Sequence, residues 1–125
     1  MKAILFVDDH EVLARLSCEI LEMQGYRAEY AYNANDALAK FDRDKFDIVV
    51  TDYKMEGMNG LELAKLIRQK SPEVPVIIVT GYAPVELSDG EVDGWLEKHD
   101  LFPALLDKIK SILGEKDPEE TLKSA

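Results

Sequence analysis

Three short apolar runs, Ala3–Val7, Asp47–Thr51 and Val74–Thr80, constrain this chain more than any other feature. Each is hydrophobic almost without interruption and does not alternate, so both of its faces must be covered. Strands of that kind belong to parallel sheets with helices on both sides. The segments between them supply the helices. Val12, Leu13, Leu16, Ile20 and Met23 share one face over Glu11–Gln24 and mark the core side of a first helix, with Gly25 at its C-terminal cap. Ala34, Ala37, Leu38 and Phe41 mark a second, capped by Asn33 or Asn35. Leu61, Ala64 and Ile67 mark a third after Gly60, stopped before Pro72. Leu101, Leu105, Ile109 and Ile112 mark a last helix, ended by Gly114. Arg27–Tyr30 and Gly94–Glu97 complete the strand candidates. The pattern β-α-β-α-β-α-β-(α)-β-α predicts an α/β fold, a single doubly wound parallel sheet with helices on both faces. Between Thr80 and Gly94 the apolar residues are sparse and Ser88-Asp89-Gly90 signals a turn, so the helix there is expected to be one or two turns or a plain loop. Residues 1–114 read as one domain and 115–125 as a polar tail or linker stub.

Composition narrows the function. At 125 residues and 46% apolar content the chain can bury one sizeable core and is not a disordered segment. With 25 acidic residues against 15 basic ones its net charge is −10, which argues against direct contact with nucleic acid. Cys18 stands alone, so no internal disulfide forms and a reducing compartment is expected. It falls on the polar side of the first helix and reads as a partly exposed, non-catalytic thiol. Ala3–Val7 is far shorter than the roughly 18 residues of a membrane span, and it meets Asp8 and Asp9 at once, which is wrong for a signal peptide. A soluble cytoplasmic protein is the expectation.

In an open parallel sheet, ligands bind beyond the carboxyl ends of the strands. Strand one ends in Asp8-Asp9, strand three in Asp52, strand four in Thr80, and strand five leads to Lys98. Singly each has an ordinary explanation. Asp8-x-x-Glu11 fits a helix cap, Asp52 opens a loop, Thr80 suits a strand, and Lys98 could be solvated. Jointly they place three carboxylates, a hydroxyl and an ammonium on one edge, and packing asks for no such set. Two unit charges 4 Å apart repel by about 4 kcal/mol at an effective dielectric near 20. A hard divalent cation removes that cost, and oxygen ligands with retained water suit Mg²⁺. Zinc does not fit, because Cys18 and the two His lack ligand spacing. Carboxylates, Mg²⁺, a lysine and a hydroxyl are equipment for phosphoryl transfer onto a carboxylate.

With Asp8-Asp9, Asp52 in Asp-Tyr-Lys-Met-Glu-Gly-Met-Asn-Gly, Val-Ile-Ile-Val-Thr80-Gly and Trp-Leu-Glu-Lys98, the chain resembles the receiver domain of two-component response regulators, the chemotaxis-regulator type. The resemblance runs from Lys2 to Leu113. It implies a five-stranded flavodoxin-like sheet of order 2-1-3-4-5. It implies that Asp52 accepts a phosphoryl group from a histidine kinase or histidine phosphotransfer protein, in a signalling domain and not an enzyme. By the same resemblance Asp9, Asp52 and the main-chain carbonyl of Lys54 contact Mg²⁺, with Asp8 acting mainly through water. Lys98 pairs with the phosphoryl oxygens, and Thr80 and Trp95 form the switch. An output domain or partner protein, and a homodimer, are further options that the family supplies.

The chain departs from the family in three places. His99 replaces the usual cis proline after the lysine, and a cis bond to a non-proline residue costs about 2.5–4 kcal/mol, so a trans bond is expected. Glu56 replaces another proline, and the stretch from Thr80 to Lys98 is short. Lys54 and Tyr82 sit where relatives tune phosphoryl lifetime. Residues 86–100 carry Glu86, Asp89, Glu91, Asp93, Glu97 and Asp100 against Lys98 alone, either a solvated loop or a face for a basic partner. The alternative reading is a receiver-like interaction module with impaired switching. A dehalogenase-type phosphatase would need Asp-x-Asp and a cap insertion. A flavodoxin would need a phosphate cradle where Asp8-Asp9 stands.

Overall fold

The computed structural model describes residues 1–81 and 92–114. The expectations for the helix or loop before the fifth strand, for Tyr82 and for the tail 115–125 lie outside the described residues. Five strands, β1 (Ala3–Val7), β2 (Arg27–Ala31), β3 (Ile48–Asp52), β4 (Val76–Thr80) and β5 (Gly94–Glu97), pair in parallel in the order β2-β1-β3-β4-β5. This is the doubly wound sheet the alternating pattern predicts. Helices α1 (Glu11–Met23) and α4 (Ala104–Leu113) cover one face, and α2 (Ala34–Arg43) and α3 (Gly60–Lys70) the other. Every residue of β1, β3 and β4 is buried, which is why those runs do not alternate. Leu5, Val7, Val49 and Ile78 face α2 and α3, while Ile4, Phe6, Val50 and Val79 face α1 and α4.

The core face of α1 is not the one its largest apolar residues predict. Val12, Leu16, Ile20 and Met23 are 50%, 47%, 37% and 81% exposed, and Ala14, Ser17, Cys18 and Leu21 are the buried set. The sheet beneath already carries the bulk of Ile4, Phe6 and Val50. Small residues on α1 let its backbone approach, so the larger neighbouring stripe turns outward. Cys18 is therefore a core residue and not a partly exposed thiol. Burial, with the charge of Glu22 adding, pushes its pKa up to about 12, so it stays protonated.

Helix ends follow local chemistry. Asn33, the first of the two candidates, caps α2 by accepting from the Asp36 amide at 2.7 Å. α4 begins at Ala104, three residues later than its apolar stripe suggests. The preceding Lys98–Asp100 forms a 3-10 turn, and Leu101 is still buried. The single cis peptide among the described residues is Phe102–Pro103, so the Lys98–His99 bond is trans.

Two aspartates fix where strands start. Asp47 accepts from the Ala3 amide at 2.8 Å and donates its own amide to the Ala3 carbonyl at 2.8 Å. Asp93 does the same for Val76, at 2.7 and 2.9 Å, and pairs with Arg68. Replacing Asp47 by Ala strands the buried Ala3 N–H and should cost about 1–3 kcal/mol of unfolding free energy in a urea titration. Asp47→Asn keeps an acceptor oxygen and should lose less than half of that. Equal losses would show that the charge matters and the acceptor does not.

Candidate functional site

The sheet order reverses between β1 and β3, and the crevice of an open α/β sheet forms at that point. β1 delivers Asp8 and Asp9 to it, and β3 ends on Asp52, one residue later than the apolar run suggests. β4 ends on Thr80, and β5 runs directly into Lys98. Asp8 is 1% exposed. It does not cap α1: its Oδ1 accepts from the His10 amide at 2.8 Å, and His10 is the N-cap, its Nδ1 accepting from Leu13 at 3.4 Å. The helix starts two residues too late for the Asp8-x-x-Glu11 pattern to operate.

Lys98 joins the two buried carboxylates. Its Nζ lies 3.1 Å from Asp8 Oδ2 and donates to Asp52 Oδ2 at 3.2 Å. Asp9 is exposed at the rim, and Asp8, Asp9 and Asp52 each offer an oxygen within 4.8 Å of the others. Burial raises the Asp52 pKa, repulsion from Asp8 adds to this, and Lys98 pulls it back only in part. For Lys98, burial works downward, but the hydrogen bond and charge of Asp8, then those of Asp52, outweigh it. Its pKa is raised, so the ammonium keeps its proton. Lys98 thus pairs with two of the three carboxylates, and Asp9 adds a third negative charge beside them. An all-oxygen donor set with this excess of negative charge fits a hard divalent ion.

A cleft of about 660 Å³ opens over these groups, lined among others by Asp9, Asp52, Lys54, Thr80 and Lys98. Trp95 does not line it: it stands on β5, 40% exposed. The register pairs Ile78 with Trp95 and Thr80 with Glu97, so Thr80 and Trp95 share one face of the sheet as diagonal neighbours. His99 points its Nε2 to Glu97 at 3.3 Å, and Lys98 still reaches both carboxylates. The cleft also contains Tyr53, Met55 and Asn59, which the strand-end argument did not find. Asn59 carried a signal of its own in Asn59-x-x-Glu62, a reciprocal cap in which Asn59 accepts from Glu62 at 2.9 Å and Glu62 from Asn59 at 3.1 Å. It starts α3 beside the Asp52 loop.

The raised Asp52 pKa sets a pH dependence in metal-free buffer. Below about pH 4 the carboxyl is protonated in both folded and unfolded chains. As pH rises, the unfolded chain releases this proton first. The native state then binds more protons, and stability falls until the pH passes the folded pKa. Asp52→Asn removes that loss. In the presence of a chelator it should melt several degrees above wild type near neutral pH, the two curves converging below about pH 4. A gap that persists in acid would assign the difference to something other than the Asp52 charge.

The family model described as the response regulator receiver domain matches residues 4–110. NtrX of Azorhizobium caulinodans, a nitrogen assimilation regulatory protein, is 36% identical over 85 residues, 66% of this chain and 19% of that protein. The sensor histidine kinase RcsC of Escherichia coli is 36% identical over 110 residues, 88% of this chain and 12% of that protein. The chain therefore spans less than a fifth of the length of these two relatives. Among solved structures, the response regulator TrrA of Thermotoga maritima, in complex with Mg(2+)-BeF, superposes with a TM-score of 0.83 at 36% identity, covering 90% of this chain and 99% of that one. TrrA in complex with the histidine kinase ThkA superposes with a TM-score of 0.81 at 35% identity, over 90% and 99% of the two chains. No helix among the described residues is long and apolar enough to cross a membrane. Sheet order, acidic edge and family match agree: this chain belongs to the response regulator receiver domains of two-component signalling.

Proposed function

We propose that Asp52 accepts a phosphoryl group from a histidine kinase or histidine phosphotransfer protein, and that residues 1–114 act as the phosphoacceptor unit. The observation that carries this is the Asp52 carboxylate, ending β3 beneath an open cleft with Lys98 at 3.2 Å and Asp8 sharing the same ammonium at 3.1 Å. In the transfer, an Asp52 oxygen bonds to phosphorus as the P–N bond of a phosphohistidine donor breaks, its electron pair leaving on the imidazole nitrogen. Asp8, Asp9, Asp52 and the main-chain carbonyl of Lys54 would hold Mg²⁺, which when bound offsets charge on the phosphoryl oxygens. Lys98, already poised against Asp52, turns its ammonium to those oxygens. The domain is a receiver that assists its own modification and acts on no separate substrate. The TrrA structure with Mg(2+)-BeF and its complex with a histidine kinase support this reading by likeness. The outward apolar stripe of α1, beginning two residues from His10 at the cleft, favours a protein as donor.

Phosphorylation adds about two negative charges and strong acceptor oxygens at Asp52. The Thr80 hydroxyl can donate to them, and its inward movement would alter the space beside Trp95, on the same face of the sheet. An output domain, a partner protein or a second copy would read that face.

Incubation with Mg²⁺ and a small acyl phosphate, followed by intact-mass measurement, should add one phosphoryl group to wild type and none to Asp52→Ala. Equal labelling of both, or no labelling of wild type, defeats the proposal. In the same samples Trp95 emission should shift on labelling, and the shift should be lost in Thr80→Val although Asp52 is still labelled. An unchanged shift in that variant would remove Thr80 from the switch.

A further inference from the structure

We propose that Gly60 is a positioning residue for Asp52, the missing side chain allowing the first turn of α3 to lie directly against the Asp52–Tyr53 main chain. The proposal rests on the phosphoacceptor reading of Asp52. A Cβ on Gly60 would stand 2.4 Å from the Asp52 carbonyl oxygen and 3.1 Å from both the Asp52 carbonyl carbon and the Tyr53 Cα. These are backbone atoms and cannot swing aside as the end of a flexible side chain does. The backbone at Gly60 lies outside the left-handed region, which holds Gly25, Gly57 and Gly114 instead. Room, not conformational freedom, is what the glycine supplies.

Neither partner in this contact can easily retreat. On the α3 side, the Gly60 amide donates to the Tyr53 carbonyl at 2.8 Å, and the Asn59–Glu62 cap fixes the helix start. Leu63, Ala64 and Ile67 are fully buried beneath it. On the strand side, the Asp52 carbonyl accepts from the Thr51 hydroxyl at 3.1 Å, and the Tyr53 amide donates to Val79 at 2.7 Å. An added Cβ therefore has to displace the end of β3 by about 1 Å to reach ordinary contact. That segment carries the Asp52 carboxylate and leads into Lys54. A misplacement of about 1 Å can cost about a hundredfold in a positioned reaction.

The test compares Gly60→Ala with Gly25→Ala. Gly25 has a φ of +96° and nothing within 4 Å of where a Cβ would stand, so its substitution strains the turn after α1 without touching Asp52. Mg²⁺ affinity is measured by calorimetry, Asp52 labelling by mass, and folding by thermal melts. Both variants should melt lower than wild type. Gly60→Ala should bind Mg²⁺ several-fold more weakly and label about 10- to 100-fold more slowly, while Gly25→Ala binds and labels as wild type does. Gly60→Ala with wild-type affinity and labelling overturns the proposal, and so does Gly25→Ala losing both equally. Wild type that binds Mg²⁺ but never labels defeats the phosphoacceptor reading, and the affinity ratio of the two variants then still decides the role of Gly60. Wild type that binds no Mg²⁺ overturns both. Should Gly60→Ala be unfolded in buffer, all three chains are compared in trimethylamine N-oxide, which favours the compact state.

Discussion

Asp8 and Asp52 are buried carboxylates that share one ammonium, and the architecture of the sheet's carboxyl edge follows from that arrangement. Burial and the charge of Asp8 both work against an ionised Asp52, and Lys98 offsets only part of that cost. Such a cluster survives only where the rest of the fold over-determines it. β1 and β3 are adjacent, buried on both faces, and each ends at the same edge. The carboxylates cannot separate without breaking the sheet. A site that is unfavourable when empty of a cation is one whose energy changes most when a cation or a phosphoryl group arrives.

That edge is level because the opposite edge is pinned. Asp47 sets the start of β3 against β1, and Asp93 sets the start of β5 against β4. The side-chain period of a strand is two, so a slip of one residue would turn Asp52 or Thr80 to the other face. Hydrogen bonds at the amino ends of the strands thereby decide which side chains meet at the carboxyl ends.

The sheet was legible because continuous apolar runs have few alternatives, and the strand-end residues followed from the topology. Strand boundaries were good to one residue except at β4, which starts at Val76 and not Val74, and the shift of β3 by one place mattered only in making Asp52 part of the strand. The face of α1 was not legible. Its wheel carries two adjacent stripes, and hydrophobicity favours the larger, whereas the sheet below has room only for the smaller. That choice depends on the volumes of Ile4, Phe6 and Val50, which a helical pattern read alone does not contain. Gly60 was hidden for the same reason, since a close approach of two backbones leaves no periodic trace.

The net charge of −10 bears on how a phosphoryl donor would reach Asp52 in the proposed transfer. A donor group is itself anionic, so the field of the whole chain opposes its approach and long-range steering cannot assist it. At physiological ionic strength that field is screened beyond about 8 Å. Inside that distance the local balance would differ: Lys98, and a divalent cation held as proposed, would offset the carboxylates at the cleft, and the exposed apolar stripe of α1 starts near it at Val12 and runs away along the helix to Met23. Apolar contact is insensitive to the sign of the field and grows with the area removed from water. A protein donor that covers the α1 stripe can therefore hold its phosphoryl group against repulsion that a small anion meets unaided. On the proposed reading, the acidity of the chain would favour donors with a complementary apolar face, and transfer to Asp52 would add charge beside the buried Asp8 carboxylate.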